Sequence, residues 1–197
     1  MRTTKKPDER RKEILDAAMK LFLSKGYENT SVEDITNDMQ VAKGSFYNYF
    51  KSKQEVFEAC ILLVANVTVD KYLIILNNGE KPVLERLIEY IEYNFELSIQ
   101  ENNELFEAIH SPTYDAIHSR VIAESSQKLI QTFTRLINTG MEESNFQVID
   151  PEFTAAALLG ALSGVHDLLT KRRDDTPEEQ RRLIYNLMGQ ILGVDIE

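Results

Sequence analysis

The stretch Val41-Ala42-Lys43-Gly44-Ser45-Phe46-Tyr47-Asn48-Tyr49-Phe50-Lys51-Ser52-Lys53 decides how this chain is read. Within thirteen residues it combines three lysines, a small hydroxyl, an amide and four aromatic rings. Such a mixture suits phosphate contact and insertion into a groove better than burial in a core. The stretch begins fifteen residues past Gly26, where a preceding amphipathic run stops. It reads as a short helix that lies against DNA.

Working outward, residues 8–25 carry Ile14, Leu15, Ala17, Ala18, Leu21 and Phe22 at helical spacing, and Gly26 is placed to end that helix in the left-handed conformation. Thr30-Ser31-Val32-Glu33 has the pattern of a capping box, opening a short helix whose Val32, Ile35 and Met39 share a face. After a turn near Gln40 comes the quoted stretch. Ser52-Lys53-Gln54-Glu55 is a second capping box and opens a long helix reaching the Asn77-Asn78-Gly79 stop. No flexible linker separates the two.

Two short helices joined by a tight turn and packed on an amphipathic first helix make a helix-turn-helix, whose second helix fits the DNA major groove. Lys43 and Lys53 are candidates to neutralise phosphates, and Tyr47 and Asn48 offer neutral donors. Gly44 has no side chain to hold the backbone away from DNA, and Ser45 suits either a base edge or a phosphate. The helix starts at Ser31 and Lys53 present free N–H groups. Phe46 and Phe50 read as core anchors, because an apolar ring gains little on a phosphate surface; Tyr49 fits either role.

The rest of the chain is also helical by pattern, giving an all-α protein. Helices are expected at about residues 82–100, 104–110, 114–139, 151–172 and 177–192. Ser111-Pro112 breaks the pattern between the second and third, and Gly140 ends the third. Asp150-Pro151 and Thr176-Pro177-Glu178-Glu179 each join an N-cap to proline at the first helical position. The expected organisation is a helix-turn-helix domain over residues 1–50 and a helical ligand-binding and dimerisation domain over residues 51–197, with residues 1–7 as a loose basic arm.

The net charge of -10 is unevenly divided. Residues 1–55 hold 11 basic and 9 acidic side chains, a net of +2, whereas the remainder holds 11 basic and 23 acidic, a net of -12. A basic head is drawn to a polyanion and an acidic body is repelled, which orients the molecule. The single Cys60 excludes an intrachain disulfide, and the N-terminus lacks the order of a secretory signal. Glu58, Asn66, Asp70 and Lys71 interrupt the most apolar segment, residues 56–76, short of the ~20 residues a membrane span needs. A cytoplasmic protein with no membrane partner is expected. Neither a phosphate loop, a nucleotide fingerprint nor a metal motif is present, which argues against an enzyme, a cofactor or a metal site.

Two features of the body invite a partner or a ligand. Ala156, Gly160, Ser163 and Gly164 form a small-residue surface in mid-helix, where each glycine costs roughly 0.5 to 1 kcal/mol against alanine, so a close contact should compensate. Together with the apolar stripe Ile184, Leu187, Met188 and Ile191 it would suit a four-helix interface between subunits, or packing within one. Tyr90, Phe95, Phe106, Tyr114 and Phe133, with His110, His118 or His166 as a polar contact, are candidates to line an apolar pocket. Core packing explains the same rings.

The run from Gly26 through Ile35, followed by the run from Val41 through Lys53, closely resembles the N-terminal domain of the tetracycline-repressor (TetR) family, over roughly residues 10–60. The resemblance implies a homodimeric transcription regulator that binds a palindromic operator, with a divergent body that takes a small-molecule effector. It further implies that Lys43, Gly44, Ser45, Tyr47, Asn48 and Lys53 approach DNA, with Thr30 or Ser31 at the start of the second helix. The chain departs from the family where Ala42 replaces a hydroxyl, Gln40 a turn glycine, and Asn48 a histidine or tyrosine.

Overall fold

Helix punctuation accounts for most of the architecture in the computed structural model, which describes residues 6–100, 115–143, 146–169 and 175–196. Among the described residues there is no strand. The helices are α1 Pro7–Lys25, α2 Val32–Asp38, α3 Lys43–Tyr47, α4 Lys53–Leu76, α5 Val83–Gln100, α6 Asp115–Glu143, α7 Pro151–Leu169 and α8 Pro177–Leu192. The helix expected over residues 104–110 lies outside the described residues.

Proline at the first position, Asp8 and Glu9 in the first turn and Lys25 in the last favour α1. Gly26 ends it with φ 79° and ψ 163°, its N–H donating to the Phe22 carbonyl at 3.0 Å. The expected left-handed stop is therefore corrected: φ is positive but the backbone is extended, a region open essentially to glycine alone. The cap of α2 is shifted by one residue from the expected box. Ser31 accepts from the Asp34 N–H at 3.1 Å and the Asp34 carboxylate accepts the Ser31 N–H at 2.8 Å. Thr176 is the expected cap of α8 and forms a reciprocal box with Glu179, and Asp150 caps α7 through the Phe153 N–H at 3.0 Å.

The chain divides into two compact units, Met1–Thr68 with Leu97–Ile122, and Val69–Glu96 with Ala123–Glu197. In the first, Ile14, Ala18 and Phe22 of α1 meet Ile35, Phe46, Phe50 and the α4 residues Val56, Phe57, Cys60 and Ile61, all buried. Phe22 and Phe57 pack edge to face with centroids 5.2 Å apart. Each fully buried phenylalanine contributes about 1.5–3 kcal/mol, so this small core rests on a few rings. Cys60 faces the Leu15 carbonyl at 3.8 Å, and burial pushes its thiol up to about 12. The second unit buries Val83, Leu87, Ile91 and Phe95 of α5 against Leu129, Phe133, Leu136 and Ile137 of α6, with Leu158, Met188 and Leu192 completing it. There, Glu92 receives Arg181 at 2.9 and 3.0 Å and the Tyr185 hydroxyl, bracing α5 against α8.

By length and composition α4 is apolar enough to cross a membrane, a test that a core helix also passes. Its buried residues instead supply the first core at Val56, Phe57, Cys60 and Ile61 and the second at Leu76.

Candidate nucleic-acid interface

The geometry of the interface begins at the turn between α2 and α3. Gln40 stands at φ 55°, the left-handed region that a glycine would occupy without strain. Its N–H donates to the Asn37 carbonyl at 3.0 Å, and the Val41 N–H to Thr36 at 2.9 Å, so the turn is closed by backbone bonds. Ala42 follows as the cap of α3 without a side-chain hydrogen bond. Sequence and structure agree that a cap worth about 1 kcal/mol is missing here.

Phe46 and Phe50 anchor α3 from below, at 0% and 1% exposure. Their burial turns Lys43, Gly44, Tyr47 and Asn48 outward, positions 0, 1, 4 and 5 of one helical face. Ser45 sits half-buried at the edge of that face. A β-carbon built on Gly44 would meet nothing within 4 Å, so no internal contact calls for glycine there. The exposed arc is one cation, one bare backbone position, one phenol and one amide, a set able to touch phosphates and base edges.

Two other expected contacts turn inward. Thr30 is 2% exposed, and its hydroxyl donates to the Gly26 carbonyl at 2.7 Å, so it secures the turn while Ser31 remains exposed. Lys53 donates to the Tyr27 carbonyl at 2.8 Å. Lys20 and Lys25 are paired across α1 and α2 with Asp38 at 2.6 Å and Asp34 at 3.0 Å. The Ser31 hydroxyl first, then its N–H and Lys25, hold the Asp34 carboxyl down to about 2.

In the second unit, the small-residue surface is open. Ala156, Gly160, Ser163 and Gly164 are exposed on α7, and a β-carbon at either glycine would meet nothing within 4 Å. Phe153, at 74% exposure, and Leu168 continue the apolar character along α7. The α8 stripe divides: Ile184 and Met188 are buried in the unit's own core with Ile191 packed against it, so these face inward, while Leu187 is half-buried. Leu183, Asn186 and Gln190 are its exposed side. Of the pocket candidates, Tyr90, Phe95 and Phe133 are buried in the same core, with Tyr90 and Phe133 edge to face at 5.2 Å. Phe106, His110 and Tyr114 lie outside the described residues, as do the side chains of His118 and His166. Spacing gave no sign of the Glu92, Arg181 and Tyr185 cluster, since Glu92 and Arg181 lie 89 residues apart.

Comparison with known proteins identifies the family. The family model for bacterial regulatory proteins of the tetR family matches residues 14–60, and that for the tetracyclin repressor-like C-terminal domain matches residues 84–184, just over half of the chain. The chain belongs to the TetR family. It is a DNA-binding transcriptional regulator rather than an enzyme. It is 36% identical over 74 residues to the uncharacterized HTH-type transcriptional regulator YuxN of Bacillus subtilis (strain 168), covering 38% of this chain and 25% of that one. It is 25% identical over 174 residues to the HTH-type transcriptional repressor DhaR of Mycobacterium sp. (strain GP1), covering 86% and 87%. The crystal structure of a transcriptional regulator from Cytophaga hutchinsonii ATCC 33406 shares the fold, with a TM-score of 0.71 at 24% identity over 92% of this chain and 96% of that one.

Proposed function

We propose that this TetR-family chain is a cytoplasmic homodimeric repressor that reads successive major grooves of a palindromic operator, ~34–36 Å apart. The carrying observation is the exposed Lys43, Gly44, Tyr47 and Asn48 face above buried Phe46 and Phe50. Ser31 and Ser45 join that face as further contacts. Residues 1–50 form the DNA-binding head and 51–197 the body in this reading. The exposed small-residue face of α7 supports dimerisation, with the outer side of α8 in place of its buried stripe. Resemblance to a protein named as a repressor favours repression over activation. A small apolar effector bound in the body would release DNA only by favouring the non-binding conformation, since equal affinity for both conformations shifts nothing.

Selection of genomic fragments at low salt tests the reading: retention of a discrete palindromic site supports it, and failure to enrich any fragment sinks it. On that site, Lys43→Ala should weaken binding at all sequences and reduce the salt slope by about one unit. Sedimentation at micromolar concentration should show a dimer; a monomer contradicts the α7 assignment.

A further inference from the structure

Lys53 is engaged within the protein itself. Its half-buried side chain donates to the Tyr27 carbonyl at 2.8 Å, with the Glu28 carbonyl at 3.5 Å, and its ammonium lies 4.0 Å from the centroid of the Tyr27 ring. That ring is packed on Phe57 and Phe22, with centroids 4.4 and 5.6 Å away. The same Tyr27 carbonyl accepts the Thr30 N–H at 3.2 Å. Tyr27 and Glu28 lie in the turn between α1 and α2, whereas Lys53 is the first residue of α4 and follows α3 by a short turn. Lys53 therefore ties together the two ends of the helix-turn-helix segment, 26 residues apart in the chain.

We propose that Lys53 is a positioning residue for DNA binding, a clamp that fixes the exposed face of α3 by joining the segment before α2 to the start of α4. The inference rests on the reading of α3 as the DNA-facing helix. An ammonium seated on carbonyl oxygens and over an aromatic face is held by both charge–dipole and cation–π attraction. The two carbonyls take two of the three ammonium donors and hold Nζ against the turn before α2, so the positioning role does not depend on a phosphate contact. Lys43, by contrast, is exposed on α3.

The test measures affinity for the selected operator across a series of KCl concentrations, at a temperature where each variant is folded, together with amide exchange at Thr30 in the DNA-free protein. A clamp predicts that Lys53→Met weakens binding about tenfold with an unchanged salt slope. Tyr27→Leu, which removes no charge, should weaken it comparably, the double variant should be no worse than either single, and Lys53→Arg should restore binding to within about threefold. Thr30 exchange should quicken in Lys53→Met. The clamp is overturned if Lys53→Met lowers the slope by about one unit while Tyr27→Leu binds like the parent, or if Lys53→Met leaves affinity unchanged. Should the parent protein retain no DNA at all, the proposed function fails separately, and Thr30 exchange alone decides the clamp, with an unchanged rate rejecting it.

Discussion

The outer faces of α3 and α7 share an oddity and differ in everything around it. Each places glycine on an exposed helical surface where an added β-carbon would meet nothing, at Gly44 in one and at Gly160 and Gly164 in the other. Glycine in a helix lowers stability by roughly 0.5–1 kcal/mol, and neither site recovers this through contacts within its own unit. Beside Gly44 stand Lys43, Tyr47 and Asn48; beside Gly160 stand Ala156, Ser163 and, farther along, the exposed Phe153 and Leu168. Absence of internal use marks a surface in both places, and under the proposed function the neighbours suit different partners: a polyanion for α3, another helix for α7.

The heaviest blow to this comparison removes the anchor under one face only. Phe46→Ala should cost about 3–5 kcal/mol in a urea melt of the head and abolish DNA binding, because a fully buried ring is lost. Next, Gly160→Leu should leave the subunit folded yet weaken the dimer by about 10–100-fold in sedimentation, the effect of overpacking by ~1–3 kcal/mol. An unaltered dimer would end the parallel between the faces. Ala42→Ser should raise stability by about 1 kcal/mol through the missing cap on α3, read by thermal unfolding.

The smallest change is the most discriminating. Gly44→Ala should stabilise the free head by about 0.5–1 kcal/mol and still weaken operator binding; if both quantities improve, nothing approaches that backbone. Acid offers a separate handle on the scaffold behind α3. Asp34 has its folded value lowered from 3.8 to about 2, so its contribution is present above about pH 4 and fades as pH falls toward 2. A pH series of thermal melts should show this loss in the parent and not in Asp34→Asn.

Legibility in the sequence followed the range of the interaction. Local rules located Thr176 as a cap and Phe46 and Phe50 as anchors, because each depends on residues within a turn, whereas Ala42 stood out only as a departure from the family's pattern. The box at Thr30 was misplaced by one position, since Thr30 and Ser31 both have hydroxyls and only the buried bond to Gly26 separates them. Lys53 looked free because its acceptor lies 26 residues away. The α8 stripe was correctly apolar, but periodicity says only that a face is buried, without saying in which subunit. Val56, Phe57, Cys60 and Ile61, beyond the expected boundary at residue 50, share a core with α1 and α3, and the continuous α4 pattern gives no mark where one core ends.

The lone thiol of Cys60 makes the head self-reporting. Buried beside Leu15 and held protonated at neutral pH, it is shielded from an alkylating reagent while α1 and α4 remain packed. Its labelling rate consequently measures how often those helices part, so the opening equilibrium of the DNA-binding unit is accessible in the intact protein without adding any probe.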